Sequence, residues 1–133
     1  VIKGTEVTIH VKVALHDRIV APIFAFSFKN IKGTEITGTN SMIEKAFLEP
    51  VEAGVVKEVT FKQNMSLQGG EYLLSLGVTG YEGSEFQVYH RLYDVLNVTV
   101  VSDKDTVGFY DMNSKVEVKN AAKDKVIPYR QEA

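Results

Sequence analysis

Residues 70–78 read Gly-Glu-Tyr-Leu-Leu-Ser-Leu-Gly-Val, and they give the clearest indication of the fold. Large apolar residues occupy every second position of this stretch. One parity of this stretch carries the side chains Tyr72, Leu74, Leu76 and Val78. Successive side chains of a β-strand point to opposite faces of its sheet, so the pattern predicts a strand with one buried face. The preceding Gln68-Gly69-Gly70 is typical of a turn.

Segments with the same alternation lie on both sides of this strand. They are Val7–Leu15, Phe24–Phe28, Glu35–Asn40, Val55–Met65, Phe86–Val101 and Val107–Val118. Turn residues separate them, as at Asn30–Gly33 and Gly80–Ser84. Within the irregular stretch Ser41–Gly54, only Met42–Leu48 suggests a short helical turn. About seven to eight strands without an amphipathic helix predict an all-β, immunoglobulin-like antiparallel β-sandwich.

The same periodicity predicts the core and the extent of the domain. Phe24, Phe26 and Phe28 share one parity, so we expect an aromatic inner face on their strand. We expect residues 1–119 to form one sandwich domain. The remaining residues 120–133 are polar and lack a clear period, which predicts a C-terminal tail that is disordered or packed on a dimer partner.

Composition restricts the classes of function. The chain has 133 residues, 44% hydrophobic and 24% charged, with a net charge of −2, and these values are typical of one globular domain. The basic residues are mixed with acidic ones, which argues against a nucleic-acid partner. The lack of cysteine excludes disulfides and favours a cytosolic location. The first residue is Val1, and no signal peptide precedes the first strand, so we expect a piece of a longer polypeptide.

The sequence lacks the patterns expected of an enzyme or a metal site. It contains no Gly-x-Ser-x-Gly elbow and no phosphate-binding Walker A loop. His10 and His16 are six residues apart on one strand, which separates them by about 20 Å, too far for one metal ion. The acidic pairs fall in predicted loops and not across a cleft. We therefore predict no catalytic residue, no metal and no cofactor.

The long segment Phe86–Val101 predicts a face suited to binding. If Leu92, Leu96 and Val98 point into the core, the other parity of the segment points to solvent. That parity carries Gln87, Tyr89, Arg91 and Tyr93. If the strands share a sheet, the neighbouring strands add Ser75, Gly77, Thr79, Ala25, Ser27 and Lys29, which are small or polar residues.

Small residues beside aromatic side chains form a groove in which a sugar fits. Tyrosine rings stack on the apolar faces of sugars, while Arg, Gln and Ser hydrogen-bond their hydroxyls. The predicted glycan-binding residues are Tyr89, Arg91, Tyr93, Ser75, Thr79, Ser27 and Gln87. The residues alone leave open the alternatives of a solvated sheet face or a face covered by a dimer partner.

The order of motifs along residues 4–118 resembles the C-terminal domain of Wzt-type proteins. These are the ATP-binding subunits of bacterial ABC transporters that export O-antigen, part of lipopolysaccharide, and related polysaccharides. The matching elements are Gly4-Thr5-Glu6, Pro22–Asn30, Gly33, Gly38-Thr39-Asn40, Gly70–Val78, Tyr93–Val100 and Gly108. Family members usually carry one more strand before the Gly4 element, where only Val1–Lys3 stand here.

The resemblance implies a non-catalytic carbohydrate-binding domain of a polysaccharide exporter. Its partners would be a lipid-linked polysaccharide at the cytoplasmic face of the cell membrane, an ATPase domain of the same chain and the membrane subunit of the transporter. The resemblance also implies a homodimer that exchanges C-terminal segments. Two alternatives stay open: an extracellular immunoglobulin-like structural or adhesion module, and a β-sandwich polysaccharide hydrolase.

Overall fold

The structure, a computed structural model, describes residues 1–122 and consists of strands joined by turns and loops. The strands are β1 (Glu6–Ala14), β2 (Ile23–Asn30), β3 (Glu35–Asn40), β4 (Val56–Asn64), β5 (Gly70–Glu82) and β6 (Glu85–Val100). They form two antiparallel sheets, one in the order β3-β2-β5-β6 and one of β1 paired with β4. The prediction of an all-β antiparallel sandwich is confirmed.

The core lies where the two sheets face each other. Phe26 and Leu74 of the larger sheet are 7% and 4% exposed, and they pack with Val7, Ile9 and Phe61 of the smaller one. The rings of Phe26 and Phe61 meet edge to face, with their centroids 4.9 Å apart. The prediction of an aromatic inner face on β2 is confirmed, because its three phenylalanines are all buried.

The two sheets differ in width, and this leaves part of the inner face uncovered. Two strands lie against four, so Leu92 and Leu96 of β6 are 44% and 56% exposed although they pair with the inward residues Leu76 and Leu74. A cleft of about 430 Å³ opens between β1 and this part of β6. A second cleft, of about 990 Å³, runs between β4 and the β2–β3 side of the larger sheet.

The prediction of a last strand at Val107–Val118 is wrong. The segment makes a single isolated bridge, between Leu67 and Tyr110, and then runs without a partner. Val116 and Val118 alternate as a strand requires, yet they are 84% and 90% exposed. Alternation makes a segment competent to be a strand, but a strand also needs a neighbouring edge that supplies its hydrogen bonds. The described residues therefore form six strands and not seven or eight.

The short helical turn suggested within Met42–Leu48 is a hydrogen-bonded turn at residues 41–45, where Glu44 N–H donates to Asn40 O over 3.1 Å. The predicted tail 120–133 lies, apart from its first three residues, outside the described residues.

The N-terminal segment is held near the far end of β6 by Lys3, whose side chain is 10% exposed. Lys3 Nζ donates to Gln68 Oε1, to Lys104 O and to Asp111 Oδ2, over 2.9, 2.6 and 2.9 Å. The Asp111 side chain is 7% exposed, and the hydrogen bonds from Lys3 and from Asn113 N–H lower its pKa to about 2. These contacts tie the N-terminal residues 1–5 to the loop that follows β6. The end of β6 near Val100 is therefore well packed.

Candidate functional site

The outer face of the larger sheet has a floor of small side chains, as the register of its strands shows. Ser27 of β2 lies opposite Ser75 of β5, and Gly77 lies opposite both Ala25 and Arg91. Gly38 of β3 extends the floor beside Ser27. A Cβ at Gly38 would lie 2.7 Å from the Phe26 carbonyl oxygen, so a larger residue there would require the backbone of β2 or β3 to shift.

Arg91 and Tyr93 stand together at one side of this floor. The Arg91 Nη1 donates to the Tyr93 hydroxyl over 3.3 Å, and the Tyr93 side chain is 67% exposed. The Arg91 side chain passes close to Gly77, since its Cγ lies 3.9 Å from the point where a Gly77 Cβ would stand. Within residues 1–122, no carboxylate lies within 4.0 Å of the Arg91 guanidinium. The structure thus brings together a cation, an exposed ring and a small floor.

The alternation of β6 is interrupted twice, and this changes which residues share a face. Between the pairs Leu76–Leu92 and Leu74–Leu96, the three residues 93–95 lie opposite Ser75 alone. Between the pairs Val78–His90 and Thr79–Val88, Tyr89 has no partner on β5. Both interruptions are β-bulges, which insert unpaired residues into one strand.

Tyr89 and Gln87 therefore do not share a face with Arg91, and this part of the prediction is wrong. Gln87 lies opposite Gly80, on the inward parity of Val78. The Tyr89 ring lies 3.0 Å from the point where a Gly80 Cβ would stand, and it lines the cleft between β1 and β6. Burial, and then the charge of Glu82, raise the pKa of Tyr89. The extra residue in the bulge reverses the parity on which the prediction relied.

Two of the remaining predicted residues are already engaged in the fold. Thr79 has the outward parity of Ser75 and Gly77 but is only 8% exposed, so it offers no surface to a ligand. The Ser75 hydroxyl oxygen accepts a hydrogen bond from Asp94 N–H over 3.0 Å. Ser27 is half-buried in the floor and makes no side-chain hydrogen bond within residues 1–122.

Lys29 and Asp94 complete the outer face. The sequence pattern placed Lys29 on this face but indicated neither residue for glycan binding, and it did not identify Asp94. Lys29 Nζ lies 2.9 Å from Asp94 Oδ1, so this ion pair between β2 and β6 crosses the outer side of β5. Aspartate is disfavoured in strands, so an Asp between Tyr93 and Val95 was the signal that indicated a bulge.

No group of three or more His, Asp or Glu side chains within residues 1–122 is arranged to hold a metal ion. The same residues contain no helix that is long and apolar enough to cross a membrane.

Comparison with known proteins agrees with the fold and the motifs. Residues 1–112 match the model of the family described as the Wzt C-terminal domain. The fold is similar to that in the crystal structure of the C-terminal domain of wzt, with a TM-score of 0.81, 23% identity, and coverage of 89% of this chain and 72% of that one. No curated protein matches the chain. Since the family match extends over most of the 133 residues, this chain belongs to the Wzt C-terminal domain family.

Proposed function

We propose that this chain is a non-catalytic carbohydrate-binding domain that recognises the O-antigen or related polysaccharide exported by an ABC transporter. Membership of the Wzt C-terminal domain family supports a carbohydrate-binding role in the context of an ABC transporter. The observation that carries the proposal is the outer face on which Arg91 and Tyr93 stand beside the floor around Gly77. In this proposal, glycan binding is coupled to an ATPase domain of the same polypeptide.

The geometry of the outer face supports a sugar ring lying flat on the floor. Gly77 and its neighbour Ala25 allow a ring to approach the backbone closely, while Tyr93 offers an exposed aromatic face for stacking. Arg91 presents a planar fork of donors, which suits two neighbouring hydroxyls or an anionic substituent. Because no carboxylate of residues 1–122 pairs with Arg91, an acidic or phosphorylated sugar is the ligand we favour.

The proposal includes a homodimer formed by exchange of C-terminal segments. The segment 113–119 is unpaired, alternates Val116 and Val118 with charged residues, and leaves both valines exposed. Among the described residues, β1 and β4 pair only with each other, so each has a free edge beside an apolar cleft. A strand from a second copy would satisfy such an edge and cover apolar surface.

Truncation tests the dimer by its mass in solution. Removal of residues 120–133 tests the tail, and removal of residues 113–133 tests the tail together with the alternating segment. We expect the protein that lacks residues 113–133 to be monomeric, with the β-type circular dichroism of the sandwich retained. A dimer that survives both truncations would show that another surface joins the copies.

The cellular setting is part of the same proposal. We place the domain, residues 1–119, at the cytoplasmic face of the cell membrane, where it would bind a lipid-linked glycan and contact the membrane subunit of the transporter.

Calorimetry tests the function directly. Polysaccharide purified from the organism that produces this protein is titrated into the folded protein, with the polysaccharide of an unrelated strain as the control ligand. We expect binding of the first and not of the second. The matched variants are Arg91→Ala on the outer face and Lys62→Ala on the outward parity of β4 in the other sheet. Equal loss with both variants, or no binding at millimolar sugar, would contradict the proposal.

A further inference from the structure

The bulge at residues 93–95 places Asp94 in an unusual backbone conformation. Its φ is 53°, in the left-handed region that residues other than glycine rarely adopt. The other residues of this kind within residues 1–122, Lys45 and Asn113, lie in a turn and a loop, whereas Asp94 lies within a strand. Strained residues of this kind persist where the surrounding structure holds them, and they concentrate at functional sites.

Two side chains on neighbouring strands hold Asp94. Ser75 of β5 accepts the Asp94 N–H with its hydroxyl oxygen over 3.0 Å. Lys29 of β2 lies 2.9 Å from Asp94 Oδ1, and the Lys29 and Asp94 side chains are 27% and 40% exposed. The bulge is thus fixed to both strands that form the floor of the outer face.

The bulge changes the direction of the Asp94 carboxylate. In an unbroken strand, residue 94 would have the inward parity of Leu92 and Leu96. Its contact with Lys29, whose parity is opposite to that of the buried Phe28, places the carboxylate at the outer face instead. Bulges beside functional sites are known to redirect a side chain in this way.

The redirected carboxylate gives the outer face a charged hydrogen-bond acceptor. Arg91 and Tyr93 offer donors and a ring, but a sugar hydroxyl also needs acceptors for its proton. Asp94 Oδ1 is engaged by Lys29, while Oδ2 has no hydrogen-bond partner within residues 1–122. Asp94 follows Tyr93 directly in the chain, so its free oxygen is presented at the same end of the floor.

We infer that Asp94 is a further glycan-binding residue, whose Oδ2 accepts a hydrogen bond from a sugar hydroxyl, and that Ser75 and Lys29 are the residues that position it. This inference rests on the proposed function and deepens it, because it assigns the acceptor of the site. It also predicts the ligand chemistry: a sugar with a free hydroxyl next to the group that Arg91 binds.

The test separates binding from stability. Asp94→Gly removes the carboxylate but suits a positive φ, so we expect an unchanged or higher melting temperature. We expect the same variant to bind the purified polysaccharide at least tenfold more weakly in calorimetry. Ser75→Ala removes the hydroxyl that accepts the Asp94 N–H, so it should weaken binding less than Asp94→Gly does. Ser75→Thr keeps a hydroxyl and should restore the affinity that Ser75→Ala loses. Glu58→Gln is the control, since Glu58 is also an exposed carboxylate beside a lysine, but in the other sheet.

Each outcome decides between the alternatives. Weaker binding by Asp94→Gly without loss of stability, together with wild-type binding by Glu58→Gln, supports the inference. Wild-type affinity in Asp94→Gly overturns it while leaving the proposed function intact. A Glu58→Gln variant that loses as much affinity as Asp94→Gly also overturns it, because the effect would then not be local. If the wild-type protein binds no polysaccharide, the proposed function itself fails, and this inference with it.

Discussion

The central strands β2 and β5 and the edge strand β6 obey the alternation rule to different extents. β2 pairs with β5 in unbroken register from Ile23 to Asn30, and its phenylalanines face the core. Among the strands of residues 1–122, β6 pairs with β5 alone, and its register shifts twice against β5. A strand paired on both sides and covered by the other sheet has its parity determined from several directions, whereas an edge strand is free to bulge.

The proposed binding face combines both kinds of strand. The regular strands provide the core and the flat floor, and in the proposed function the irregular strand provides the side chains that would contact the glycan. Tyr93 and Asp94 lie in one bulge of β6, and Tyr89 lies in the other.

The largest effect is expected at the centre of the core. Phe26→Ala should lower the free energy of unfolding by about 3–5 kcal/mol, because it leaves a cavity between two sheets. Leu92→Ala, at an inward position of β6 that is 44% exposed, should cost less than about 1.5 kcal/mol. Urea melts of both variants measure the difference. A loss below about 1 kcal/mol for Phe26→Ala would contradict its assignment to the core.

Alanine substitutions at two glycines of the outer face should differ in their effect on stability. Gly38→Ala brings a Cβ to 2.7 Å from the Phe26 carbonyl, so we expect a loss of about 1–3 kcal/mol in unfolding free energy. Gly77→Ala meets its nearest atom at 3.7 Å, an ordinary contact, and should change stability by less than about 0.5 kcal/mol. Equal stabilities in thermal melts would show that β3 moves aside to admit the methyl group.

The two tyrosines that flank Arg91 on β6 should differ in binding. Tyr93→Ala should weaken binding of the purified polysaccharide about tenfold, or about 1.4 kcal/mol, because its exposed ring stands beside Arg91. Tyr89→Ala should bind normally, because its ring lies in the cleft beside Gly80. Calorimetry with both variants measures this. The reverse result would place the glycan in the cleft between β1 and β6.

The last prediction concerns the well-packed end of β6, where Lys3 holds Asp111. The folded protein lowers the pKa of Asp111 to about 2, from the ordinary value of 3.8, chiefly through the hydrogen bond from Lys3. A lowered carboxyl pKa stabilises the fold above the ordinary value, and this contribution is lost as the pH falls through about 2. Melting temperatures between pH 4 and pH 2 should therefore fall less steeply for Asp111→Asn than for the wild type. Parallel curves would contradict the role of this ion pair.

The part of the fold that follows from local periodicity was predictable from the sequence. The strand at Gly70–Val78 and the aromatic face of β2 are confirmed, because the side-chain period of a strand is a property of its own backbone. The family resemblance of the ordered motifs is confirmed as well. The placement of Ser27, Ser75 and Arg91 on one face follows from the same period.

The features that the sequence did not predict depend on pairing between distant segments. The shift at Tyr89 arises in the register of β6 against β5, so no pattern within β6 determines it. The Asp94 contact needs Lys29, 65 positions earlier in the chain, to lie across the same floor. Val116 and Val118 alternate like strand residues but find no edge among residues 1–122. A sequence determines which segments are able to pair, whereas the number of edges and their register are set when the sheets assemble.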